Sequence, residues 1–172
     1  MKKTLWTGLL MMLLMLAVLS ACGGGGGGGG AFLLPPSTTN TKAVLTLSTS
    51  GTGTTIHGVQ VTVNLPSGVT AKGSLCTGGT LTCPTDAGVV TVNGAAAGAD
   101  LAGSSYVPSM RTITLIIASN SGFTTGDFAT VNCDIVSGNP GATSFTLSDF
   151  KAVDGLGAAI GTITPGFTAA FQ

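Results

Sequence analysis

Not one glutamate occurs among the 172 residues, and only 6 lysines and arginines face 6 aspartates. Charged residues make up 7% of the chain, against about 25% in an ordinary soluble domain. Long surface helices braced by Glu–Lys pairs are therefore excluded. Nucleic-acid binding is excluded too, because phosphate contacts need clustered cations. A single histidine and no glutamate leave few groups for acid–base chemistry or a His-rich metal site. The one Trp and one Tyr leave almost nothing for the coplanar aromatic platform that grips flat polysaccharide. What the chain has instead is glycine, 28 of it, with many threonines and short apolar alternations.

Only one long apolar run exists. Lys2 and Lys3 precede Leu9–Leu19 (LLMMLLMLAVL), 11 residues without a polar atom. A membrane span needs about 20 residues to cross roughly 30 Å, so this run reads as the core of an export signal. It ends in Leu19-Ser20-Ala21-Cys22, which resembles the lipobox of bacterial lipoproteins. That resemblance implies cleavage before Cys22 and acylation of its sulfur and its new amino group. It also implies attachment to the cell envelope, at the outer membrane because Gly23 and not Asp follows the cysteine. Periplasmic or surface facing stays open. Removing residues 1–21 leaves four basic and six acidic side chains, a net charge of −2, and takes away Trp6 and four of the five methionines.

Residues 22–42 read as a tether. Gly23–Gly30 is an unbroken run of eight glycines, followed by a Pro- and Thr-rich stretch. Glycine loses more backbone entropy on ordering than any other residue, so a disordered spacer is expected. About 20 such residues reach about 25 Å. No Lys-Ser/Thr follows and no strand precedes the glycines, so a phosphate loop is excluded.

Residues 43–172 show period two. Val59, Val61, Val63 and Leu65 alternate with Gln60, Thr62 and Asn64; Ala129, Val131, Cys133 and Ile135 alternate with Thr130, Asn132 and Asp134. Further strands are predicted at Ala43–Ser48, Val69–Ser74, Val89–Asn93, Arg111–Ser119, Thr143–Asp149 and Ala158–Thr164. Ile116 breaks the alternation of Ile113, Leu115 and Ile117 and calls for cover by a loop or a partner. Ala95–Ser105 reads as a loop with at most one helical turn. All seven prolines fall outside the predicted strands. Eight or nine short strands without a long helix predict an all-β sandwich. No fixed repeat supports a β-solenoid.

Three cysteines remain beyond Cys22. Cys76 and Cys83 are separated by six intervening residues that include Gly78-Gly79, a hairpin spacing that a disulfide would close in an exported protein, for about 2–3 kcal/mol. A zinc site lacks the short Cys pairs and histidines it prefers. Cys133 points inward and is expected to be an inert buried thiol. His57 is read as a surface residue, and no Gly-x-Ser-x-Gly elbow or triad surrounds it. No catalytic residues, metal site or cofactor are assigned. The aspartates fall mostly at turns, where they satisfy backbone donors. A structural calcium held by Asp149 and Asp154 is the remaining alternative, although no Asp-x-Asp-x-Asp loop is present.

Two stretches carry a family resemblance. Gly58–Val69 (GVQVTVNLPSGV) and Gly126–Ile135 (GDFATVNCDI), with Asp154–Ile160 as a closing turn, resemble cohesin modules and the related cellulose-type carbohydrate-binding modules. The resemblance implies a nine-stranded jelly-roll sandwich. It also implies a non-catalytic module that receives a helical dockerin on one sheet face. Cys133 stands where that family carries Phe, so other side chains must fill the core there. Polysaccharide binding through polar loops and Tyr106 is the alternative, and a structural envelope subunit is the third.

Overall fold

The computed structural model describes residues 39–53, 55–73 and 81–172. Cys22, the glycine tract and Cys76 lie outside the described residues, and so do the expected lipid anchor, tether and Cys76–Cys83 disulfide. Ten strands follow one another: β1 (Lys42–Ser50), β2 (Ile56–Asn64), β3 (Val69–Thr70), β4 (Cys83–Pro84), β5 (Val90–Val92), β6 (Leu101–Val107), β7 (Thr112–Phe123), β8 (Gly126–Ile135), β9 (Thr146–Val153) and β10 (Thr164–Phe171). Eight of them are three residues or longer. They form two five-stranded sheets, β10-β1-β8-β3 with β5 also on β8, and β4-β6-β7-β2-β9. Every pairing between strands is antiparallel. The chain changes sheet at each connection except the β6–β7 hairpin, and the result is an all-β jelly-roll sandwich.

Period two explains the layering. Alternate side chains of a strand point to opposite faces, and in β1 Ala43, Leu45 and Leu47 are buried while their neighbours are half-exposed. Val59, Val61 and Val63 of β2 face Ile113, Leu115 and Ile117 of β7 from the same sheet, and all six are buried. The inner face of the first sheet is built in rows of unequal bulk. Cys133, Ala43 and Phe171 form one row, Val131, Leu45 and Ala169 the next, and Ala129, Leu47 and Phe167 the third. In the first row two small residues leave the volume to Phe171, whose ring lies 6.3 Å from that of Phe145.

Several boundaries differ from expectation. β6 takes up the second half of the predicted loop Ala95–Ser105, from Leu101 onward, and Gly94–Ala96 takes a 3-10 turn. The last strand is Thr164–Phe171 and not Ala158–Thr164. Asp154 captures residues after β9 in a turn, its Oδ1 accepting the amides of Leu156 and Ala158 at 2.9 Å each. The strand predicted at Val69–Ser74 shortens to β3, and that predicted at Thr143–Asp149 starts at Thr146 after a 3-10 turn and ends at Val153. Two prolines do sit in strands, Pro84 in β4 and Pro165 in β10. Both strands are sheet edges, where a missing N–H breaks no ladder bond.

Candidate interaction face

The outward side of the second sheet can be read row by row from the strand register. Leu101, Ala118, Gly58 and Val153 form the first row across β6, β7, β2 and β9; Gly103, Ile116, Gln60 and Lys151 form the second. The third is Ser105, Thr114, Thr62 and Ser148. Lys151 is the one charge in the twelve positions. Gly58 is demanded by its neighbour, since a Cβ there would lie 2.8 Å from a Val153 methyl. In the third row the hydroxyls of Thr62 and Thr114 meet at 3.3 Å, which satisfies polar atoms that would otherwise lie under a partner.

Ile116 is 47% exposed at the middle of this surface. It forms a ridge between two shallow hollows, one of about 260 Å³ toward β2 and β9 and one of about 280 Å³ toward β6. A β-branched apolar side chain held in water on a rigid strand is a solvation cost that an apolar partner would remove. The outer side of the first sheet differs: its central strand presents Val44, Thr46 and Ser48 beside Asn132 and Thr130 of β8, a mostly hydroxyl and amide surface. Four strands about 4.8 Å apart and rows about 6.8 Å apart give a patch of roughly 400 Å². A standard interface buries about 800 Å² per partner, so loops at the sheet ends would have to contribute.

The residues singled out from the sequence separate clearly. Tyr106, named as a sugar contact, is 3% exposed, and its hydroxyl lies 3.1 Å from that of Thr70 on the opposite sheet. A ring packed in the core cannot stack on a sugar, so that role is corrected. Cys83 is buried on β4 with its sulfur 3.3 Å from the Tyr106 carbonyl oxygen. Cys133 is free and buried; burial, with the Asp134 charge adding, pushes its thiol up to about 12. His57 is half-buried, and its Nδ1–H donates to the Ser119 carbonyl at 3.0 Å, so it holds backbone and no hydroxyl nucleophile. It lines a crevice of about 450 Å³ with Asp100, Asn120 and Asp154. There Asp100 accepts the Asn120 amide at 2.6 Å. Asp149 takes a positive φ of 51° and accepts from Ser148 at 3.2 Å, while Asp154 caps its own turn. Among the described residues no three His, Cys or Asp side chains gather to hold a metal.

Half of the apolar face was invisible in the sequence. Leu101 and Gly103 belong to β6, whose LAGSSYV run has no alternation to reveal it. Ile116 was the legible signal.

No family model and no curated protein matches the chain. Among solved structures it is similar to a non-cellulosomal cohesin from the hyperthermophilic archaeon Archaeoglobus fulgidus, at 14% identity. The match covers 71% of this chain and 74% of that one, with a TM-score of 0.40.

Proposed function

We propose that this chain is an exported, lipid-anchored, non-catalytic binding module of the cell envelope that presents the outer face of its second sheet to a protein partner. The exposed Ile116 ridge between two hollows carries the reading. The face offers apolar contact and little charge, so it suits a partner with its own apolar stripe, such as the helical surface of a dockerin-like protein. Cys22 would supply the anchor, two or three acyl chains holding firmly because each buried methylene contributes about 0.8 kcal/mol. A Cys76–Cys83 bridge would brace the segment that leads into β4. The polysaccharide alternative loses its one aromatic contact with the burial of Tyr106.

A photo-crosslinking residue at Ile116, compared with one at Thr46 on the opposite face, tests the site in the native envelope. The reading expects a protein adduct at 116 that Lys151→Glu and Gly103→Asp diminish, with none at 46. Adducts at 46 alone would place the interface on the other sheet. Binding on a glycan array would restore the polysaccharide alternative.

A further inference from the structure

The two ends of the sandwich differ in chemistry, and the difference follows the chain's point of entry. Asn40 and Thr41 lead into β1 beside the C-terminal residue, with the Thr41 amide donating to the Gln172 carbonyl at 2.6 Å. The β6–β7 turn shares this end, since the Leu65 amide donates to the Arg111 carbonyl. The segment after β8 joins it through the Val136 amide on Gly68, and β4 begins here opposite Tyr106. Of the four cations that follow the leader, Lys42, Lys72 and Arg111 lie at this end. So do three exposed apolar side chains, Leu81 (61%), Met110 (72%) and Val136 (68%).

The opposite end is reversed in charge and not in apolar exposure, since Leu156 there is 95% exposed. Asp100, Asp127 and Asp154 cluster there without any Lys or Arg, around the loops after β1, β7 and β9. Counting side chains alone, with Asp86 and Asp134 at the entry end, where Asp134 sits 3.9 Å from Lys72, and with Asp149 and Lys151 at neither, the two ends carry +1 and −3. Lys72 keeps 68% of its side chain in water, so the pair leaves its ammonium accessible.

We infer that the entry end is a membrane-contacting surface, in which Lys42, Lys72 and Arg111 meet phospholipid phosphates while Leu81, Met110 and Val136 enter the interfacial layer. This rests on the anchoring reading: a flexible tether of about 20 residues from Cys22 would keep the domain at an r.m.s. distance of about 25 Å from the bilayer, where even weak contacts are populated by effective concentration. Cations near an anionic surface attract it, and acidic groups are repelled. The acidic end therefore points away from the lipid, and the Ile116 face stands at the side, open to a partner.

The full chain, processed in a bacterial host and reconstituted with phosphatidylethanolamine–phosphatidylglycerol vesicles, tests this. Intact mass first establishes the acyl chains. Because cleavage removes Trp6, single reporters can be added by Met110→Trp, Val136→Trp and, at the far end, Leu156→Trp. Emission at 110 and 136 is expected to shift to the blue and to be quenched by brominated lipid, with that at 156 unchanged. Replacing Lys42, Lys72 and Arg111 by Gln should lower the docked-to-free ratio about fivefold per charge, with the acyl mass unaltered. Equal quenching at 156 and 110, or none at 110 and 136 in a lipidated protein, would overturn the inference. If the mass shows no acyl chain, anchoring fails separately; quenching at 110 by added vesicles in low salt then still supports the contact, and its absence overturns it.

Discussion

Cys133 shows what burial does to a single group. Its thiol sits on the inner face of β8 opposite Ala43, and burial followed by the Asp134 charge raises its pKa from 9.0 to about 12. In the unfolded chain the thiol ionises near 9, whereas in the folded one it stays protonated. The stability held below pH 9 is therefore lost as pH climbs toward 12, at about 1.4 kcal/mol per pH unit. Urea titrations between pH 8 and 10.5 should show this slope in the native chain and a shallower one in Cys133→Ala. For the same reason an alkylating reagent at pH 8 should leave Cys133 unmodified until denaturant is added, because the thiolate is the nucleophile. Gly58 makes a steric point. Gly58→Ala should destabilise by about 1–3 kcal/mol, as overpacking does, and Val153→Ala in the same chain should restore most of it, read as the urea midpoint.

At the scale of elements, β2, β7 and β8 were legible because apolar inward residues alternate along each with polar or small outward ones, although in β2 the outward Gly58 and Thr62 are themselves buried. β6 was not, because its burial is uneven: Leu101, Ala102 and Gly103 are exposed, whereas Tyr106 is core. Its strand character comes from pairing with β7 along its whole length, a long-range fact absent from local pattern. Tyr106 then ties the sheets together through Thr70. Tyr106→Phe should cost about 1 kcal/mol for that hydrogen bond, visible as a lowered Tm, and should leave the Ile116 crosslink intact. Leu115→Ala, at the centre of the β2–β7 contact, should cost about 2–5 kcal/mol, measured by the same denaturation.

On the scale of the whole molecule, the proposed anchoring and the proposed partner binding can be tested separately. Cys22→Ala should abolish partitioning into a detergent-rich phase while leaving the sandwich's circular dichroism unchanged. Intact mass of the native protein should show cleavage before Cys22, the added acyl chains and the loss of two hydrogens for one disulfide. Ile116→Asp should keep the fold, since exposed substitutions usually change stability by no more than about 0.5 kcal/mol, and should remove the crosslinked partner. Local chemistry in the chain was enough to indicate strands with one buried face, because hydrophobic period acts over a few residues, whereas the expected export signal and glycine tether lie outside the described residues. It also marked Ile116 as out of pattern. Only the folded sandwich put Leu101 and Gly103 beside Ile116, drew Tyr106 into the core and gathered three cations at the end where the chain enters. Those juxtapositions depend on strand register and on crossings between sheets, and they join residues far apart along the chain.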